Sequence, residues 1–124
     1  MQSDRPVNLN LAAFSCPFAA VVSITHRITG VVLFVGVGFA LYALQIALSG
    51  PEGFVEAGAL LQAPFAKFIM LALVFVLLFH MFAGIKHLLL DFHIGDSIEA
   101  AKIGAIVVVI LSFASTGLLG ATLW

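Results

Sequence analysis

Leu71-Ala72-Leu73-Val74-Phe75-Val76-Leu77-Leu78-Phe79 is apolar at every position and runs directly into His80. A strand of a membrane barrel would alternate apolar and polar residues, and this run does not. Val107-Val108-Val109-Ile110-Leu111 repeats the pattern further along the chain. A single segment crossing lipid can satisfy its backbone only as a helix, because the hydrocarbon offers no partner for an open N–H or C=O. Both runs therefore read as transmembrane helices.

Outward from these runs, three stretches contain no Asp, Glu, Lys or Arg: Ile28 to Leu48, Phe68 to Ile85, and Ile103 to Trp124. Each is near the roughly 20 residues that a helix needs to span a bilayer. Composition agrees, with 63% hydrophobic and 9% charged residues and a mean hydropathy of +1.23, values far from those of soluble domains. The expected fold class is an all-α membrane protein whose three transmembrane helices form part of a multi-subunit helical bundle. The 124 residues read as one membrane-anchor domain, residues 1–124. It has an interfacial segment over about 1–22 and helices over about 23–48, 65–90 and 100–124.

The links carry turn chemistry. Ser49-Gly50-Pro51-Glu52-Gly53 stops the first helix, and Asp91-Phe92-His93-Ile94-Gly95-Asp96-Ser97 follows the second. Asp96 or Ser97 can cap the third, with Glu99 and Glu56 as first-turn acids. There is no repeat, low-complexity tract or glycine-rich phosphate loop, so soluble catalytic machinery must belong to other chains, and no nucleic-acid partner is expected. Arg5, Arg27, Lys86 and Lys102 fall on the side of the N-terminus and second link, against Lys67 alone on the other. That bias places the N-terminus inside. The first residues lack the layout of a cleaved signal, and Asp4 with few arginines argues against a mitochondrial transit peptide. A bacterial inner (cytoplasmic) membrane, with a cytoplasmic N-terminus, is expected in preference to the mitochondrial inner membrane. Cys16 is the only cysteine, which excludes an internal disulfide and reads as a small apolar filler.

Ionisable groups inside such spans are functional candidates, because hydrocarbon penalises a central charge by roughly 2.5 to 3.5 kcal/mol. His80 lies roughly 20 Å along a helix from Lys67 and roughly 9 Å from Lys86, which puts it in the inner half of the membrane. Ser23 and Arg27, one turn apart, mark the inner boundary of the first helix. His80 has two open roles: axial ligand to haem iron, with Gly84 leaving room for a flat macrocycle, or hydrogen-bond partner of a neighbouring helix. His87, on a similar face beside Lys86, reads as a solvated interfacial histidine, and His93 as a solvated loop residue. Arg27 can snorkel to headgroups. Alternatively, with Ser23, Thr25, His26 and Thr29, it forms a donor cluster suited to haem propionates or a quinone carbonyl. Phe14, Pro17 and Phe18 look interfacial, and Gly36, Gly38, Gly117 and Gly120 read as close-packing sites between helices.

These residues carry a resemblance. Arg5-Pro6-Val7-Asn8-Leu9, Ser23-Ile24-Thr25-His26-Arg27-Ile28-Thr29-Gly30, and His80-Met81-Phe82-Ala83-Gly84-Ile85-Lys86-His87 with Asp91 resemble both signature regions of the cytochrome b subunits of succinate dehydrogenases. The resemblance extends through Ser49-Gly50-Pro51-Glu52-Gly53-Phe54 to Leu123-Trp124. It implies a membrane anchor that holds a flavoprotein and an iron-sulfur subunit on the inner face and helps form a ubiquinone site with a second anchor subunit. It implies that His80 is one axial ligand of a haem b, the other coming from the second anchor subunit. Ser23 and Arg27 would border the quinone, and His26, Arg27, Lys86 and His87 would lie near the haem propionates. Lys86 stands where the family usually has Arg, which removes a planar fork but keeps a cation. His93 replaces a small residue. A fumarate reductase-type anchor and a purely structural anchor are the competing readings. A self-contained haem protein or transporter would need more intramembrane ligands or a paired acid, and the spans hold no Asp or Glu.

Overall fold

The computed structural model describes residues 18–124, so expectations for Arg5, Phe14, Cys16 and Pro17 lie outside the described residues. The described chain is four helices: α1 (Phe18–Ala47), α2 (Pro51–Gln62), α3 (Pro64–Asp91) and α4 (Ile98–Leu123). Three of them, α1, α3 and α4, are long and apolar enough to cross a membrane. They contain 30, 28 and 26 residues, about 45, 42 and 39 Å at 1.5 Å per residue. The hydrocarbon core is about 30 Å thick, so their ends reach the interface or beyond. The all-α membrane fold read from the sequence is the fold observed. Helix α1 already includes Phe18, so Ser23 lies inside a formed helix.

The link between the first two spans holds a helix that turn chemistry alone did not announce. Gly50, at φ 138, takes a backbone conformation that a side chain would oppose. Pro51 then occupies the first turn of α2, where its missing N–H does no harm. Gly53 and Ala57, one turn apart, bury the face of α2 that meets α1. A Cβ on Gly53 would collide with the Ile46 carbonyl and the Ser49 hydroxyl. At 12 residues α2 is too short to cross. After α3, the chain turns through His93 (φ 58) and Gly95 (φ 70). Ser97 then caps α4 by accepting the Ala100 N–H at 3.1 Å, which selects it over Asp96.

Helix α3 is central, packed on α1 along one side and α4 along the other. Val22, Phe79, Ala83, Ala105 and Val108 form the buried cluster that joins all three spans. Most other large apolar side chains face outward, Phe34 being 83% exposed. In water that would be an aggregation surface; in a bilayer it is the lipid- or partner-facing surface. Buried hydroxyls are satisfied within their own helix: Ser112 donates to the Val108 carbonyl at 2.6 Å and Thr116 to the Ser112 carbonyl at 2.7 Å.

Of the four glycines expected between helices, two are. A Cβ on Gly36 would stand 2.9 Å from Leu73, and one on Gly120 would stand 3.1 Å from Leu71. Gly38 and Gly117 have nothing within 4 Å and open to the outside. The difference lies in rotation about the helix axis: Gly36 is buried, and Gly38, two residues on, faces away.

Candidate functional site

His80 and His87 are two helical turns apart on the side of α3 that meets α1, and Gly84 lies between them one turn from His80. Because Gly84 has no side chain, a notch opens there, and His26 from α1 enters it. A Cβ on Gly84 would stand 3.5 Å from His26 Nε2. The His26 ring stacks on His80 at 4.0 Å and 10°, and lies 5.0 Å and 28° from the His87 ring. Gly30 performs the reciprocal service on α1, where a Cβ would come within 3.2 Å of His80 Cε1.

The hydrogen bonds set the tautomers. His80 Nδ1 lies 3.0 Å from the His26 carbonyl and 3.0 Å from Thr29 Oγ1, while Thr29 itself donates to the same carbonyl at 2.8 Å. A carbonyl oxygen only accepts, so Nδ1 carries the proton and donates it. Nε2 is then the nitrogen with the lone pair, and it makes no hydrogen bond among the described residues. His80 therefore contacts the neighbouring helix with one nitrogen and leaves the other without a hydrogen bond among the described residues. The two roles open to it from the sequence are compatible.

His87 follows the same rule. Its Nδ1 donates to the Ala83 carbonyl, one turn back, at 2.6 Å. Its Nε2 therefore accepts, and the Ser23 hydroxyl donates to it at 3.1 Å. The solvated interfacial role expected for His87 does not hold, because both ring nitrogens are engaged inside the bundle. His93, by contrast, is 87% exposed and near Asp96 at 3.7 Å, as a loop histidine should be.

The remaining candidates separate. Ser23 faces α3, whereas Arg27 is exposed and forms no hydrogen bond or ion pair among the described residues. Thr25 turns back to the Val21 carbonyl at 2.8 Å. Lys86 lies on the α4 side of α3, its stem against Gly104, where a Cβ would stand 3.4 Å from Lys86 Cε. It lines an apolar groove of about 280 Å³ with Phe82, Ile85 and Val108, away from the three rings. Thus Ser23, His26, Thr29, His80 and His87 share one site, and Arg27 and Lys86 stand outside it. Gly30 and the Ala83 carbonyl are members that sequence reasoning passed over. The signal for Gly30 was its place one turn after His26 on the same face.

The arrangement presents one imidazole nitrogen of His80 without a hydrogen bond among the described residues, a second imidazole stacked upon it, and a hydroxyl-imidazole pair further toward the C-terminal end of α3. Such a set suits one-point ligation of a metal held by another framework, plus polar contacts to a flat ligand. Among the described residues, no three His, Cys, Asp or Glu side chains converge to hold a metal ion by themselves.

The chain is 38% identical to the succinate dehydrogenase cytochrome b556 subunit of Coxiella burnetii over the whole of both chains. It is 31% identical to the cytochrome b556 subunit of Paracoccus denitrificans, over 81% of this chain and 77% of that one. With the mitochondrial cytochrome b560 subunit of Mus musculus the identity is 32%, over 96% and 72% of the two chains. Residues 1–119 match the family described as succinate dehydrogenase/fumarate reductase transmembrane subunit. With its three apolar spans and its cluster of histidines between α1 and α3, this chain belongs to the succinate dehydrogenase/fumarate reductase transmembrane subunit family.

Proposed function

We propose that this chain is the haem b-containing membrane anchor of a succinate dehydrogenase, which binds ubiquinone and passes to it electrons from an iron-sulfur subunit. Its partners are that subunit, a flavoprotein subunit and a second membrane-anchor subunit, and its place is the bacterial inner membrane with the N-terminus cytoplasmic. The relatives named as cytochrome b subunits support the haem.

The observation that carries the reading is the state of His80. Donation from Nδ1 to the His26 carbonyl holds the ring in orientation and leaves Nε2 basic, the arrangement metal-binding histidines commonly adopt. His80 would accordingly be the residue of this chain that ligates the haem iron, with a further ligand coming from the second anchor subunit. When bound, the haem would add one-electron storage near the quinone. The resemblance would make His26, Arg27, Lys86 and His87 the donors and cations toward the haem propionates; of these, His26 lies against His80, whereas Arg27 is exposed and Lys86 is turned to α4. Ser23 and Arg27 border the quinone, Ser23 offering a single hydroxyl and Arg27 a fixed fork.

The test is purification of the complex in mild detergent, with identification of its subunits and a reduced-minus-oxidised spectrum. His80→Ala should abolish or shift the haem bands, and an unchanged spectrum at normal haem content would remove His80 as a ligand. Arg27→Leu should impair quinone reduction and spare succinate oxidation by artificial acceptors. Equal loss of both would contradict the placing of the quinone.

A further inference from the structure

Thr29 is buried, at 6% exposed, and its hydroxyl stands between two partners. It donates its one proton to the His26 carbonyl at 2.8 Å, three residues back on α1, and its oxygen lies 3.0 Å from His80 Nδ1 on α3. A hydroxyl that has given its proton to one group can only accept from another. His80 Nδ1 therefore faces two acceptors, the His26 carbonyl at 3.0 Å and the Thr29 oxygen.

The consequence falls on the other nitrogen of the ring. An imidazole with its proton on Nε2 would turn the Nδ1 lone pair toward two oxygens that have no proton to offer it. A hydroxyl free to rotate at position 29 could donate to that lone pair, and the tautomer that cannot ligate a metal would be tolerated. The His26 carbonyl removes this freedom by holding the Thr29 proton. We infer that Thr29 is a positioning residue for haem ligation: its oriented hydroxyl keeps the His80 proton on Nδ1 and, as a second acceptor for that proton, makes Nε2 a stronger donor to iron. The inference rests on the reading of His80 as a haem ligand and deepens it.

The direction of the effect follows from the acceptors. Oxygens that accept from the far N–H of a ligating imidazole raise its basicity. A more basic imidazole favours the oxidised state of a haem iron, and hydrogen bonding of this kind is one of the levers by which a protein sets the potential. The surroundings strengthen the lever. Thr29 also lines a small pocket with Val22, Phe75, Phe79 and Phe113, and in apolar surroundings a hydrogen bond is electrostatically stronger than in water. The His26 ring does not share the role, since it stacks on the face of His80 at 4.0 Å and has no hydrogen bond to that ring among the described residues.

The test uses the intact complex, purified in mild detergent with Thr29→Val, Thr29→Ala or Thr29→Ser. Val removes the hydroxyl at nearly constant volume, Ala removes it and leaves space, and Ser restores it. Haem content and the reduced-minus-oxidised bands are measured, and redox titration of those bands gives the haem midpoint potential. Expected are a potential raised in both the Val and Ala variants, and a potential in the Ser variant that matches the unsubstituted complex. An unchanged or lowered potential in Val and Ala overturns the inference, and so does a Ser variant that shifts as they do. Haem lost from Val and Ala but kept in Ser supports it, because the hydroxyl is what separates them. Haem lost from all three overturns it, because the ring then needs the shape of threonine and not its hydroxyl. His80→Ala separates this inference from the reading beneath it. An unsubstituted complex without haem bands, or bands indifferent to His80→Ala, sinks the function proposed above; bands that depend on His80, with a potential indifferent to Thr29, sink this inference alone.

Discussion

Helix α3 has two seams, and they are built from different chemistry. Its seam with α1 is crossed by hydrogen bonds, His80 to the His26 carbonyl and Thr29, and His87 to Ser23. Its seam with α4 is held by shape: Ala83 and Ala105 are fully buried, Gly104 admits the Lys86 stem, and the Phe75 and Phe113 rings meet at 4.8 Å. Between helices in lipid no hydrophobic force draws apolar faces together, so association depends on close packing and polar contacts. The α4 seam uses the first and the α1 seam adds the second. A polar seam is specific in rotation and register, because each donor must meet its acceptor. That specificity is what a ligand site requires, and the site lies on that seam.

If the division is real, damage to each seam should have its own signature. The largest effect is expected from Gly30→Val, which places branched carbon against His80 where even a Cβ would come within 3.2 Å. The ring must leave its hydrogen bonds, and haem content, read from the reduced-minus-oxidised spectrum, should fall severely. Retention of wild-type haem content and band position would break the comparison.

Ala105→Leu overpacks the other seam, at a fully buried position, and should cost about 1 to 3 kcal/mol of stability. Thermal denaturation of the detergent-solubilised complex should show a lowered midpoint, with the haem bands of the surviving protein unmoved. A shifted spectrum at unchanged stability would show that the seams are not separable. The smallest effect is expected from Thr29→Val, which removes one hydroxyl of nearly constant volume beside His80 while the His26 carbonyl remains. A loss of about 0.6 kcal/mol is expected, the scale of polar contacts between membrane helices. It should appear as a small drop in midpoint with haem retained; complete haem loss would mean that Thr29, and not the carbonyl, orients the ring.

The zone read from the sequence held Ser23, Arg27 and His80, because charge and imidazole are conspicuous within apolar runs; the structure gathers Ser23 and His80 with His26 and leaves Arg27 exposed. The internal order of the zone was not legible. His87 read as solvated because it adjoins Lys86 in sequence, yet a step of one residue turns a side chain by about 100° on a helix. Lys86 therefore meets Gly104 on α4 while His87 meets Ser23 on α1. Arg27 and Ser23 share a face by spacing, but the serine is close enough to the contact line to reach α3 and the arginine stays exposed. The short α2 was missed because Gly50 and Pro51 announce a turn as readily as a helix start.

What the amino-acid sequence determined by itself was the number of spans and their helical state. Transfer from water to lipid sums over neighbours along the chain and needs no tertiary contact. Only the tertiary structure decided that His26 enters the notch at Gly84, that His80 donates through Nδ1 and keeps Nε2, and that His87 holds the Ser23 proton. Those outcomes depend on the rotation and crossing of two helices against each other, and hydropathy, which has no direction around the helix axis, carries no record of them.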